Sequence, residues 1–181
     1  MPSRPRRLVV TGSESTGKTT LVSQLAAHFG LPYANEFVRA YAVHKGAPLD
    51  ASDHWPIARE QTTRHEALLQ QAAIDGTPLV LCDTDLLSHV TYCHHYTGGC
   101  DAGIEALARD RVADHYLLLD IDVPWIADGV RDRGDRREEL HEAFLATLHR
   151  FAAPFTLISG SWQERYARAA AVATHWHPVS P

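Results

Sequence analysis

The stretch Gly12-Ser13-Glu14-Ser15-Thr16-Gly17-Lys18-Thr19 matches the pattern G-x-x-x-x-G-K-S/T at every constrained position. No other stretch narrows the choice of fold as far, because this pattern makes mechanical demands on both of its flanks. Residues 7–11 ahead of it form a short β-branched run that reads as a buried strand. Behind it, Leu21, Val22, Leu25, Ala26 and Phe29 recur at helical spacing, and Gly30 supplies a stop. A loop joining a strand to a helix N-terminus presents unpaired N–H groups and the positive end of the helix dipole, and both favour a bound phosphate. On this reading Gly12 through Thr19, with Thr20 after it, cradle the phosphates. Lys18 reaches the outer ones, and the Thr19 hydroxyl ligates Mg²⁺.

Four more stretches, at 32–36, 79–82, 115–121 and 155–158, read as strands. Between them lie helical stretches at 37–44, from a Ser52 or Asp53 cap to about 74, from about 86 towards Tyr96, and at 102–111, 138–151 and 161–175. Strands alternating with helices predict a five-stranded parallel sheet with helices on both faces and right-handed crossovers. The expected fold is therefore α/β, a P-loop NTPase of the nucleoside- and nucleotide-kinase kind, formed as one domain over 1–181. Ligands of such sheets lie at the carboxyl ends of the strands, where Gly12, Glu36, Asp83 and Asp122 all fall.

Composition narrows the partners. A net charge of −5 argues against a nucleic-acid-binding protein, which usually carries a basic face. No apolar run reaches the ~18 residues of a membrane span. The basic start is followed only by Leu8, Val9 and Val10 before polar residues, too little for a signal peptide. The three cysteines, Cys82, Cys93 and Cys100, are too few and odd in number for a disulfide framework, so a reducing cytoplasm is expected.

Asp83 and Asp85 follow an apolar strand, where P-loop proteins hold Mg²⁺ directly or through water. Asp83 is assigned to the metal and Asp85 to a substrate hydroxyl or its proton; alternatively Asp83 or Thr84 caps the next helix. Glu36 lies where a small acceptor would meet the γ-phosphate, with Arg39 one helical turn on. The arginine-rich, glycine-punctuated segment 123–137 reads as a phosphate-closing lid, with Arg131 and Arg136 as its contacts. Tyr41, Trp55, Tyr92 and Tyr96 are candidates for stacking on a planar base. His94 and His95 near Cys93 and Cys100 match no zinc spacing.

A GTPase needs Asn-Lys-x-Asp and Asp-x-x-Gly; the one asparagine here, Asn35, precedes Glu36, and Asp-x-x-Gly does not occur. Motor and helicase ATPases usually need a larger core or a helical second domain, for which 181 residues leave little room. A small-molecule kinase using ATP and Mg²⁺ fits the lid and the acidic strand ends. An ATPase regulator acting on a protein partner is the alternative from another class.

Four segments together, Gly12 to Thr19, Ala34-Asn-Glu-Phe-Val-Arg-Ala-Tyr41, Leu81-Cys-Asp-Thr-Asp85 and Val123-Pro-Trp-Ile-Ala-Asp-Gly-Val-Arg131, resemble the kinase domain of NadR-type proteins. That domain is a ribosylnicotinamide kinase, which makes nicotinamide mononucleotide from the riboside with ATP. The resemblance covers residues 8–158, and the Pro-Trp-x-Ala-Asp-Gly-x-Arg segment is its most specific part. It implies Asp83 and Asp85 at the metal and ribose, Glu36 and Arg39 near the riboside, and Tyr96 near the nicotinamide ring. Asn35 stands where the family carries a tryptophan that stacks on nicotinamide. NadR-type proteins also carry a nucleotidyltransferase domain, and often a DNA-binding domain, ahead of the kinase. With its phosphate loop beginning at Gly12, this chain is expected to stand alone.

Overall fold

The computed structural model describes residues 4–124 and 136–177. Five strands, β1 (Arg6–Gly12), β2 (Tyr33–Ala34), β3 (Leu79–Asp83), β4 (His115–Leu119) and β5 (Phe155–Ile158), form one sheet in the order β2-β3-β1-β4-β5. Every pairing is parallel. The helices are α1 (Lys18–Phe29), α2 (Phe37–Lys45), α3 (His54–Ile74), α4 (Leu86–Thr97), α5 (Ala102–Arg109), α6 (Arg137–Arg150) and α7 (Trp162–Trp176).

The central strands are apolar on both sides because both faces of the sheet are covered. Successive residues of β1 point to opposite faces. Val9 joins Cys82, Tyr116 and Leu118 in a core closed by residues of α3 to α6, among them Ala58, Val90, Ile104 and Phe144. Leu8 and Val10 join Leu81, Leu117 and Leu119 in a second core closed by Leu25 of α1 and Ala169 of α7.

The expected elements form, with shifts at their ends. The edge strand β2 is only Tyr33–Ala34, so Glu36 is the residue that opens α2 rather than the end of a strand. An edge strand has one neighbour, and two residues of pairing with β3 are all it makes. β4 stops at Leu119, and Asp120 to Asp122 turn away to other partners.

Candidate active site

The phosphate loop begins where β1 meets β4. A Cβ on Gly12 would lie 2.8 Å from the Leu119 carbonyl oxygen, so only glycine lets the two strands approach this closely. Gly17 sits at φ +85° and opens α1 without a side-chain cap, leaving the first N–H groups of the helix pointing into the loop. Ser15 holds φ +54°, a left-handed conformation rare for a non-glycine residue and a local strain of the kind found at ligand cradles. Lys18 folds over the loop, its Nζ donating to the Gly12 carbonyl at 2.9 Å and the Ser13 carbonyl at 2.8 Å. Thr16 Oγ1 closes the loop on itself with a 2.8 Å bond to the Ser13 carbonyl.

The Thr19 hydroxyl donates to Asp83 Oδ2 at 2.6 Å. The register of β1 and β3 brings this about, since Val10 pairs with Asp83 and places the end of β3 beside the loop. An alcohol and a carboxylate are the hard oxygen donors that suit Mg²⁺, which takes one or two protein oxygens and leaves its other positions to phosphate and water. Among the described residues, no group of three or more His, Cys, Asp and Glu side chains is placed to hold a metal by itself.

Two cavities flank the loop and share Thr16, Gly17 and Thr20. The smaller, about 180 Å³, is lined by Ser15 to Thr20 together with Glu36 and Arg39. Glu36 is buried and Arg39 Nε lies 3.7 Å from its Oε2, so the start of α2 presents a carboxylate and a guanidinium to the loop. The larger, about 710 Å³, runs along α1 and the start of α7 past Leu21, Trp162 and Tyr166. Tyr96, from the last turn of α4, donates its hydroxyl to Glu14 of the loop and stacks on Tyr92 with centroids 6.0 Å apart. Asn35 is exposed, one residue before Glu36. Tyr41 bonds instead to Asp53, and Trp55 packs against the first core.

Asp85 corrects the sequence reading. It is the N-cap of α4, a role expected of Asp83 or Thr84. Its Oδ1 accepts from the Leu87 and Ser88 N–H groups at 3.0 and 3.4 Å, and its Oδ2 accepts from Tyr116 at 2.7 Å. Arg7 Nη2 lies 3.9 Å away. Burial pushes the Asp85 carboxyl up, against the pull of Arg7 and the Tyr116 hydroxyl. Both oxygens are committed to the interior, so the structure does not offer this carboxylate to a substrate hydroxyl.

Arg136 stands at the head of α6 in a two-point pair with Glu139. Arg131 and most of the expected lid, residues 125–135, lie outside the described residues.

Sequence reasoning missed Arg165. This buried side chain of α7 donates to the carbonyls of Thr16 at 3.3 Å, Asp120 at 2.9 Å and Gly160 at 2.9 Å, and pairs with Asp122. Burial alone would raise the Asp122 carboxyl, but the Gly160 N–H and the Arg165 guanidinium hold it below the usual carboxylate range. A signal existed: Arg165, Ala169 and Ala173 recur every fourth residue and form the buried stripe of α7, so an arginine occupies a core position.

Fold and cradle together define a P-loop nucleotide-binding protein with a kinase-like parallel sheet. A family model described as an AAA domain matches residues 7–165, and the chain belongs to that family. It is similar to the trifunctional NAD biosynthesis/regulator protein NadR of Escherichia coli, 33% identical over 140 residues that cover 74% of this chain and 33% of that protein. The NadR of Salmonella typhimurium is 32% identical over 133 residues, covering 71% and 32%. The chain thus spans about one third of the length of these relatives. Among solved structures, NadR in complex with NR superposes with a TM-score of 0.80 at 24% identity, over 98% of this chain and 53% of that one. Thymidylate kinase from Ehrlichia chaffeensis superposes with a TM-score of 0.67 at 14% identity, over 94% and 100%. Both share the fold.

Proposed function

We propose that this chain is an ATP-dependent phosphotransferase that converts nicotinamide riboside to nicotinamide mononucleotide, a salvage step towards NAD. The observation that carries the reading is the shared cavity: Lys18, Thr19, Glu36 and Arg39 line one space of about 180 Å³ at the mouth of the phosphate loop. A triphosphate lying along the loop would point its γ-phosphate at that space, and an acceptor alcohol there would be in line with it. The riboside 5′-oxygen attacks the γ-phosphorus, the bond from that phosphorus to the β,γ-bridging oxygen breaks, and ADP leaves. Glu36 is the carboxylate positioned to take the hydroxyl proton, with Arg39 Nε 3.7 Å from its Oε2. Lys18 and the loop N–H groups hold the charge that spreads over the transferring group. Mg²⁺ held by Thr19 and Asp83 would neutralise the phosphate oxygens.

Tyr96 and Asn35 are assigned to the acceptor's base, and Arg131 and Arg136 to a lid over 123–137 that closes on the phosphates, within a single domain. The family membership and the similarity to NadR support this reading. One observation favours a second acceptor: Asn35 is exposed and not aromatic where NadR-type kinases carry a stacking tryptophan, which suits another nucleoside or a small alcohol. Among the described residues no helix is long and apolar enough to cross a membrane. We place the enzyme in the cytoplasm, acting on small molecules.

The test is a panel of ribosides and small alcohols incubated with Mg-ATP. Transfer to nicotinamide riboside above the others supports the proposal. Transfer only to another nucleoside selects the second acceptor, and ATP turnover that responds only to a protein partner selects a regulator.

A further inference from the structure

The larger cavity is lined by a large aromatic side chain, Trp162. Trp162 is the first residue of α7 and is 54% exposed, the most exposed large aromatic among the described residues. Neither core includes it. Leaving so large an apolar ring half in water forgoes most of what burying it would contribute. Its position is nonetheless well defined. A Cβ on Gly17 would fall 2.5 Å from Trp162 Cζ3, so the six-membered edge of the indole lies against the phosphate loop. The Arg165 guanidinium lies over the ring, 5.6 Å from the centroid, and Arg165 is anchored in turn to the Thr16 carbonyl. The ring is therefore fixed to the loop at two points and faces a cavity of about 710 Å³, within the size range of small-molecule sites.

We infer that Trp162 is the platform on which the base of the phosphate donor stacks. The donor would be a purine nucleoside triphosphate, its tail running through Thr16, Gly17 and Thr20, which border both cavities. Recognition through a ring face reads aromatic area rather than an edge pattern, so adenine and guanine are held alike. The inference rests on the reading of the loop as a triphosphate cradle and is independent of which acceptor is used.

The experiment is calorimetric titration of wild type, Trp162→Ala and Trp162→Phe with a non-hydrolysable ATP analogue, the matching GTP analogue and inorganic triphosphate, without acceptor. Removing a stacking aromatic should weaken both analogues by roughly tenfold or more in Trp162→Ala. Trp162→Phe should lie between Trp162→Ala and wild type, and the inorganic triphosphate should bind all three proteins alike. Unchanged analogue binding in Trp162→Ala overturns the inference. So does an equal loss for inorganic triphosphate, which would make Trp162 a prop for Gly17 instead. Wild-type protein that binds none of the three ligands overturns this inference and the kinase reading together. Wild-type binding without transfer to any riboside removes only the kinase reading.

Discussion

Asp83 and Asp85 stand two residues apart, yet their carboxylates serve different environments: Asp83 accepts the Thr19 hydroxyl at the phosphate loop, and Asp85 accepts the Tyr116 hydroxyl in the core. Thr84 between them makes the difference. It holds φ +64°, a left-handed turn that alanine-like residues avoid, and is kept there by its N–H on the Val10 carbonyl at 2.9 Å and by Gln61 on its hydroxyl. The turn sends Asp83 along the strand end and swings Asp85 beneath the sheet to start α4.

Asp83→Asn keeps the shape and removes the charge. We expect roughly a hundredfold loss of kcat and a large rise in the Mg²⁺ concentration needed for half-maximal turnover. A Mg²⁺ titration of ATP turnover measures both. An unchanged Mg²⁺ requirement would take Asp83 out of the metal site.

Asp85→Ala should act on stability. It removes a helix cap and leaves Arg7 buried without its carboxylate, a loss of about 4 kcal/mol, or roughly 10 °C in Tm. Below that Tm the kcat should stay within about threefold of wild type. Thermal melts and assays at low temperature read the two effects apart, and a large kcat loss in folded protein would return Asp85 to the chemistry.

Lys18→Ala should abolish transfer, by about 10²–10³-fold or more in kcat, because the ammonium would hold charge that develops on the transferring phosphoryl group. Lys18 donates to the Gly12 and Ser13 carbonyls of the loop and belongs to neither core, so the circular dichroism spectrum should match wild type. Full activity in the folded variant would contradict the role.

Arg165→Met leaves the carbonyls of Thr16, Asp120 and Gly160 without this donor, and Asp122 without its cation. The cost is about 3 kcal/mol, the lower end for a buried pair because Asp122 is partly in water. ATP affinity should fall along with Tm, since the Thr16 end of the loop loses its strut. Calorimetry and melting on the same preparation test the coupling.

Acid should unfold the protein through its buried histidines. Burial pushes His65 down to about 3, helped by the Arg7 charge, and pushes His89 down to about 4. Both stay neutral in the fold, while the unfolded chain takes up their protons near pH 6.5. More protons are then bound unfolded than folded, so stability is complete above about pH 6.5 and is lost as pH falls towards 4, by roughly 1.4 kcal/mol per pH unit for each group. Denaturant midpoints at pH 7, 6 and 5 follow the loss, and His65→Gln should flatten it.

Much of this was legible without coordinates. The Gly12 to Thr19 pattern, with its strand and helix, located the phosphate cradle, and short stretches bounded by turn residues, most of them apolar, located five strands. Those signals are local: side-chain period, capping residues and glycine placement act over a few neighbours. Glu36 and Arg39 were marked by their place after the second strand, and both line the smaller cavity at the loop although they belong to α2 and not to the strand end.

What residue spacing left open is what each carboxylate and arginine faces. Asp83 and Asp85 look equivalent along the chain, and only Tyr116, Arg7 and the turn at Thr84 assign one to the loop and the other to the core. The four-residue spacing of Arg165, Ala169 and Ala173 marks a helix face, but what the Arg165 guanidinium holds appears only where the ends of β4 and β5 and the phosphate loop converge on it. Trp162 likewise gains its meaning from Gly17, which is distant in sequence and adjacent in space. Chemistry along the chain sets which groups are available; the parallel register and the packing of α7 on the loop set which of them meet. Burial and partner geometry, the quantities that decide charge and reactivity, exist only once distant segments are in contact.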